Sequence, residues 1–447
     1  MNIPPKAQKI LDLFENAMIV GGFVRDEIKG VPCSDVDIEV YGCHLERIER
    51  VLGFQGFKVD AVGKAFGILK VDNEIDVSVP RRENKIGVGH RGFAMEPDTG
   101  MSVKDAAARR DFTMNSLAMD SDGTIHDHFD GIQDIECGRL MHTSPAFSED
   151  PLRVLRGMQF ASRFDMWMDP ATRALCAEMD LSELPKERIW AEWKKWAGGR
   201  FPSKGLWLLA DCSQLPLELW DLKGCPQDPV WHPEGDVFVH TCHVVDQAAR
   251  LAVNLPETDR LVLLFAALCH DLGKPATTEF IDGHWRARGH CEAGVEPSRV
   301  FLERIGAPQW LIDAVAPLIV EHLVHAGGPL SDRGVRRLAV RLDPSNIGML
   351  TLLAEADHCG RPPLAHGSPL EGLAERALIM LIEDGKPEPI VMGRHLIALG
   401  MEPGPAMGVL LAEYFEAQLD GEFDDMEGWV RWRINMNQDP TATEDRG

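Results

Sequence analysis

Two aspartates, Asp35 and Asp37, stand two residues apart in the stretch CSDVDIEV. On a strand, alternation puts both carboxylates on one face. Carboxylates that close repel one another unless a cation lies between them. A divalent metal is the usual answer, and Mg²⁺ favours a few carboxylates together with substrate phosphate oxygens. Just upstream, IVGGFVRD reads as a strand, a turn and a helix start. Gly21 and Gly22 leave backbone N–H groups to meet a phosphate at a helix N-terminus, and Arg25, one turn on, reaches the same phosphates. Asp76, in a later strand-like stretch, is a third candidate carboxylate. Either feature alone would be read as a turn or as solvated acids; the combination at this spacing is far more specific. A second set lies downstream: His240, the adjacent His270 and Asp271, and Asp357, with His290 and His322 as further candidate ligands. Imidazoles with carboxylates suit a divalent metal site that activates water. One such histidine is more often structural, but six suitable residues in this order are hard to explain that way. Lys274 either holds a phosphate there or is surface charge.

These residues need a frame. The chain has 447 residues, room for roughly three domains of about 150. Hydrophobic residues make up 45%, enough for real cores. The net charge of −24 argues against bulk electrostatic binding to nucleic acid, DNA included, but leaves room for RNA in a local basic groove. Ten cysteines without a C-x-x-C pair fit reduced thiols in a cytoplasmic protein. The first residues show no signal-peptide core, and the apolar run around Leu261 to Cys269 is too short to span a membrane. Residues 1–18 read as an amphipathic helix, Leu45–Val51 as another, and Phe57–Val62, Ile68–Val71 and Glu74–Val79 as strands. Residues 83–104 are Gly-rich and read as a mobile loop, and the last residues, TATEDRG, as a loose tail.

Three middle stretches carry more chemistry. In ARRDFTMNSLAMD, Arg109 and Arg110 offer guanidinium forks, Asp111 an acceptor for a ribose hydroxyl, and Asn115 a neighbouring hydrogen-bonding group. Ser148 reads as the N-cap of a helix with Glu149, Asp150 and Pro151 in its first turn, continuing LRVLRGMQFASRF. Asp150 and Arg153 are three apart and share a face. They form either an ordinary helix salt bridge, worth about 0.3–0.5 kcal/mol, or a base reader. Cytosine and adenine both present an amino donor beside a ring-nitrogen acceptor, which a carboxylate and a guanidinium would match; uracil and guanine present the opposite pattern. In LPKERIWAEWKKWAGG, Arg188 and Glu192 are spaced to pair. Lys194, Lys195, Arg200 and Lys204 are either RNA phosphate contacts or a solvated helix end.

Taken together, GG-x-V-R-D, D-x-D, RRDFT and EDPLRVLRGMQFA resemble the tRNA nucleotidyltransferase and bacterial poly(A) polymerase family, polymerase-beta-like enzymes. The resemblance is strongest over residues 19–204, good over 231–360 and weak beyond. It implies an α+β fold: a polymerase-beta-like head (1–140), then an all-helical neck with a nucleotide-templating helix (141–228), an HD phosphohydrolase-like domain (229–360) and a C-terminal tRNA-binding body (361–447). It implies CCA addition to tRNA from CTP and ATP with Mg²⁺, a second divalent metal at the H…HD…D site, and no membrane partner. It assigns Arg109, Arg110, Asp111 and Asn115 to the incoming sugar, and Asp150, Arg153 and Arg156 to templating, with Gln159 where the family usually has Arg. The 83–104 loop is implied to help switch from C to A. The HD domain of such relatives hydrolyses phosphoesters such as 2′,3′-cyclic phosphates. Poly(A), A-only or CC-only addition is the near alternative. A phosphohydrolase with a vestigial head and a non-catalytic RNA-binding module are the distant ones.

Overall fold

The computed structural model describes residues 3–33, 35–60, 67–85, 93–364 and 367–438. They divide into two compact units, 1–215 and 216–447.

The first unit is built on a seven-stranded sheet of order β3-β4-β5-β2-β1-β8-β9. Its strands are β1 (Ala17–Val20), β2 (Val36–Val40), β3 (Val59–Asp60), β4 (Ile68–Val71), β5 (Ile75–Ser78), β8 (Ala118–Met119) and β9 (Ile125–His126), while β6 (Arg81–Lys85) and β7 (Phe93–Pro97) form a separate hairpin. The opening helix is only Pro5–Leu11, with Ala7, Ile10 and Leu11 buried. The expected helix over 1–18 stops early because the apolar run AMIV is drawn into the sheet as β1, between β2 and β8. The hairpin β6–β7 likewise occupies part of the stretch expected to be loop; residues 86–92 of it lie outside the described residues, as does the 441–447 tail. β2 sits mid-sheet, antiparallel to β1 and parallel to β5. It alternates buried Val36, Ile38 and Val40 with more accessible Asp37 and Glu39. Burying one face fixes its register, since a one-residue slip would exchange the carboxylates for the valines.

Behind the sheet, in sequence, the helices Leu152–Phe164, Lys186–Ala197 and Pro202–Asp211 pack around Phe160, Trp193, Trp196 and Leu209. A Cβ on Gly205 would lie 2.7 Å from the Met158 carbonyl oxygen, so only glycine lets the last of these helices approach the first. The Leu152–Phe164 helix starts after Pro151, not at Ser148. Ser148 lies in a 3₁₀ turn and donates to the Pro145 carbonyl, while Asp150 takes the capping role by accepting from the Leu152 N–H at 3.1 Å.

In the second unit, helices Val237–Leu251, Glu257–Cys269, Gln309–Glu321 and Ile347–Cys359 bury an aliphatic core that includes Leu263, Phe265, Leu318 and Leu353. The segment Gln309–Gly327 is long and apolar enough to cross a membrane by length and composition. Leu311, Val315, Leu318 and Ile319 pack into the core and its end carries His322, so it serves here as a core helix. Val391, Leu396, Met407, Tyr414, Phe423 and Trp429 form a separate small core towards the C-terminus.

Candidate active sites

In the first unit, β1 delivers the chain to Gly21, whose φ of +72° lies in the left-handed region that glycine adopts without strain. A Cβ there would stand 2.6 Å from an Arg110 guanidinium nitrogen. The Gly21 N–H is spent on the Leu117 carbonyl at 3.1 Å, so it is not open to a phosphate as expected. What remains is the start of the Gly22–Lys29 helix, which has no side-chain cap. Arg25 is buried; it donates to Asn115 Oδ1 at 2.6 Å and to Asp26 Oδ1 at 2.8 Å, with its guanidinium over the rings of Phe160 and Phe164.

Asp35 and Asp37 line a cavity of about 730 Å³ together with Gly21, Gly22 and Arg25. The same cavity is lined by Arg110, Asp111, Asn115, Asp150, Arg153 and Arg156, so the sequence-predicted phosphate, sugar and template residues meet in one space. Burial and then the neighbouring Asp35 push the Asp37 carboxyl up to about 6. A pair of acids so strained is what a divalent cation relieves. Asp76 is Asp37's partner in register on β5, yet it is not among the cavity-lining residues and pairs with Lys70 at 3.2 Å. Arg109 also stays off the cavity wall; its carbonyl accepts from Arg153.

Ion pairing differs from the spacing-based expectation. Asp150 pairs with Arg188 of the Lys186–Ala197 helix, at 2.8 Å. Arg153 is instead fixed by the carbonyls of Ala146 (2.9 Å) and Arg109 (2.7 Å). Glu192, expected to brace Arg188, pairs with Lys195 at 2.8 Å and lies 4.0 Å from Arg156. Asp111 is buried and committed: Arg156 Nε donates to one oxygen at 2.6 Å, and Asn115 and the Phe112 N–H to the other. Burial alone would raise its carboxyl, but Arg156 and those bonds hold it below the usual range. It therefore works more as an anchor for Arg156 and Asn115 than as an open acceptor for a ribose. Of the expected RNA contacts, Lys195 lines the cavity, whereas Lys204 pairs with Asp165 at 3.1 Å and Arg200 stacks over Phe201. Lys194 lies in the last turn of the Lys186–Ala197 helix.

In the second unit, His240, His270, Asp271, His290, His322 and Asp357 converge. His270 and His322 sit at the C-terminal ends of their helices and His290 begins a short one. Each uses Nδ1 on the carbonyl three residues back: Ala267 (2.8 Å), Ala287 (2.6 Å) and Ile319 (2.7 Å). Nδ1 is therefore the donor, and Nε2 presents its lone pair inward. His240 and His270 face each other through Nε2 at 3.4 Å, as do His290 and His322. Asp271 lies between these pairs, 3.2 Å from His270 and 3.4 Å from His290, and Asp357 is 3.0 Å from His240. Both Asp271 oxygens are buried without a well-aligned hydrogen bond. Imidazole nitrogens converging on a buried carboxylate, one oxygen of which lies 2.7 Å from the Lys274 ammonium, fit a divalent cation. Burial, with His270 next, pulls the His322 imidazole down to about 4, so it presents a neutral nitrogen. Burial opposes charge on His240 too, but Asp357 and Glu234 outweigh it and push it up to about 9. Lys274 is not surface charge: it is buried, tied to Asp271 and Gln227 at 2.7 Å, and lines the cavity at this centre. His232 and Glu234 were missed. Glu234 lies 2.9 Å from His232 Nδ1 and 2.8 Å from His240 Nδ1, so it orients His240 from behind. Their signal was the polar run HPEGD just before an apolar helix. A cavity of about 480 Å³ opens onto the centre, with Trp231, Trp285 and Arg286 in its wall.

Residues 17–141 match the poly A polymerase head domain, and residues 237–357 the HD domain. The Multifunctional CCA protein of Mannheimia succiniciproducens is 35% identical over 77% of this chain and 84% of its own. That of Xanthomonas campestris pv. campestris is 38% identical over 77% and 85%. The chain belongs to the multifunctional CCA protein family. Solved structures agree on the fold. The Bacillus stearothermophilus CCA-adding enzyme in complex with CTP superposes with a TM-score of 0.63, at 22% identity, over 98% of this chain and 99% of that one. The Thermotoga maritima CCA-adding enzyme complexed with tRNA gives 0.57 at 20% identity, over 97% and 96%. As the family resemblance implied, this CCA-family chain has an α+β polymerase-beta-like head followed by helical regions that include an HD domain.

Proposed function

We propose that this protein adds CCA to the 3′ end of tRNA from CTP and ATP, and that its HD domain is a metal-dependent phosphohydrolase. The observation that carries the first part is the single cavity shared by Asp35 and Asp37, the Gly21–Gly22 turn, and the Asp150–Arg153 end of the neck helix. Membership of the CCA family and the likeness to CCA-adding enzymes support it. The second part is supported by the converging imidazoles and Asp271. The four-part division at 140, 228 and 360, a cytoplasmic setting, and Mg²⁺ as the head's ion belong to the same reading. Asp35 and Asp37 would hold a divalent ion, which would supply Lewis acidity for nucleotidyl transfer. The protein's own part is orientation. Arg25 is clamped between Asn115 and Asp26 at the phosphate end. Asp111 fixes Arg156 beneath the sugar and base. Asp150, held by Arg188, offers an acceptor to an exocyclic amino group, and the anchored Arg153 fork faces the ring nitrogen.

The decisive experiment supplies labelled nucleotides to tRNAs ending before CCA, after C and after CC. CCA addition requires C, C and A in turn, with termination; long A tracts, or addition at one step only, would replace it with the poly(A), CC-only or A-only alternatives. A template prediction follows. Arg153→Ala removes a charge-assisted bond worth roughly 1.5–3 kcal/mol, so efficiency with CTP and ATP should fall about ten- to a hundredfold. The advantage over UTP and GTP should narrow with it. Arg188→Ala should show part of the same loss of preference, since it sets the Asp150 carboxylate. Incorporation of all four nucleotides by each variant measures this; lower activity with unchanged preference would mean that these residues only shape the helix.

A further inference from the structure

The cavity-lining arginines are held in two ways, Arg153 by the Ala146 and Arg109 carbonyls and most of the others by a carboxylate. Arg25 pairs with Asp26, Arg110 with Glu39, Arg156 with Asp111 and Arg188 with Asp150. Arg163 also lines this cavity, but among the described residues its polar contact is to a neutral group, the Gln159 side-chain oxygen at 3.2 Å, with its guanidinium over the Phe164 ring. Gln159 is buried, on the preceding turn, and acts as a latch that sets the direction of the fork. Cations crowd this end: Arg25 and Lys29 lie over the same ring. Burial, then Arg25, draws the Arg163 guanidinium below its ordinary range in spite of Asp26 and Glu192. Asp26 and Glu192 offset this only in part, so a partly buried cation beside other cations is further stabilised by an arriving anion. Ten residues of helix, about 15 Å, separate Arg163 from the base-reading Arg153. The anion at this end is therefore a phosphate and not part of a base.

We propose that Arg163, aimed by Gln159, is a phosphate-binding residue of the nucleotidyl-transfer site. It grips a phosphate either of the incoming triphosphate or of the RNA end. The assignment rests on the nucleotidyl-transfer reading, but its first test needs no turnover.

Inorganic tripolyphosphate is titrated into the full-length protein and three variants by calorimetry. Arg163→Ala should weaken binding about ten- to a hundredfold, the loss expected for one charge-assisted bond, and Arg163→Lys should keep most of it. Gln159→Glu is the sharper variant: nearly isosteric, it hands Arg163 an internal carboxylate, so phosphate binding should fall while thermal stability holds or rises. A merely structural Arg163 would leave tripolyphosphate binding intact whatever the stability does. In steady state, KM for CTP and ATP should rise in the same variants with preference over UTP and GTP unchanged. Intact tripolyphosphate binding with a raised KM for the RNA alone assigns the phosphate to the RNA. Unchanged tripolyphosphate binding together with unchanged KM for both nucleotide and RNA in Gln159→Glu and Arg163→Ala overturns the proposal. If wild type binds tripolyphosphate through Arg163 yet adds no nucleotide, the nucleotidyl-transfer reading fails and not the anion site.

Discussion

Asp37→Ala is expected to lower nucleotide incorporation by roughly a thousandfold or more while leaving HD-domain chemistry intact. Losing the cation's hold forfeits several kcal/mol of transition-state charge stabilisation, and every 1.4 kcal/mol is about tenfold. Asp35→Ala should behave alike, since the two acids share the cavity wall. Stability gives an independent readout. The Asp37 carboxyl is raised to about 6 from an ordinary 3.8, so the folded state binds its proton more tightly than the unfolded chain does. The associated stabilisation is complete below the unfolded value and disappears as pH rises through about 6. In chelator, unfolding of the protein should therefore become easier between about pH 4 and 6, and Asp37→Asn should flatten that slope. Divalent cation should restore stability at neutral pH in wild type and not in the variant. Near-normal incorporation by both alanine variants would remove the site.

The second large effect belongs to the HD centre. His270→Ala should abolish bound divalent metal and hydrolysis of 2′,3′-cyclic phosphoesters, with CCA addition retained. Asp271 calls for asparagine instead of alanine. Lys274 lies 2.7 Å from Asp271 and is itself buried, so deleting the whole side chain would strand a buried ammonium at a cost of about 3–5 kcal/mol. Asp271→Asn keeps the shape, removes the charge between the imidazole pairs, and should cut metal content and hydrolysis together. Elemental analysis and a cyclic-phosphate assay read both. A wild-type protein free of metal and inert towards phosphoesters would make this a structural domain.

The parts of both sites that could be read in the sequence are those whose geometry is local. A Gly-Gly turn before a helix, and two acids at strand spacing, carry their arrangement within a few residues, and β1, β2 and the Gly22–Lys29 helix fell where the stretch suggested. Partner choice was not local. Asp150 and Arg153 share a helix face, yet Asp150 is claimed by Arg188 from 38 residues away and Arg153 by backbone carbonyls. Spacing permits a pair; packing decides it. Residues 81–85 and 93–97 pair as a hairpin although their sequence has no strand period, because backbone bonding across the ladder supplies what side-chain patterning does not. Glu234 escaped notice for a similar reason: an acid behind a histidine is visible only once the loop before Val237–Leu251 has folded against it.

The way three histidines spend Nδ1 on carbonyls three residues back has a consequence for metal supply. The lone pairs that meet an ion are aimed by the ends of secondary-structure elements, before any ion arrives. Loading such a site would require little rearrangement, and the fixed spacing of the imidazoles would itself favour ions whose preferred geometry matches it. Among ions that fit, the occupant would follow which one is available.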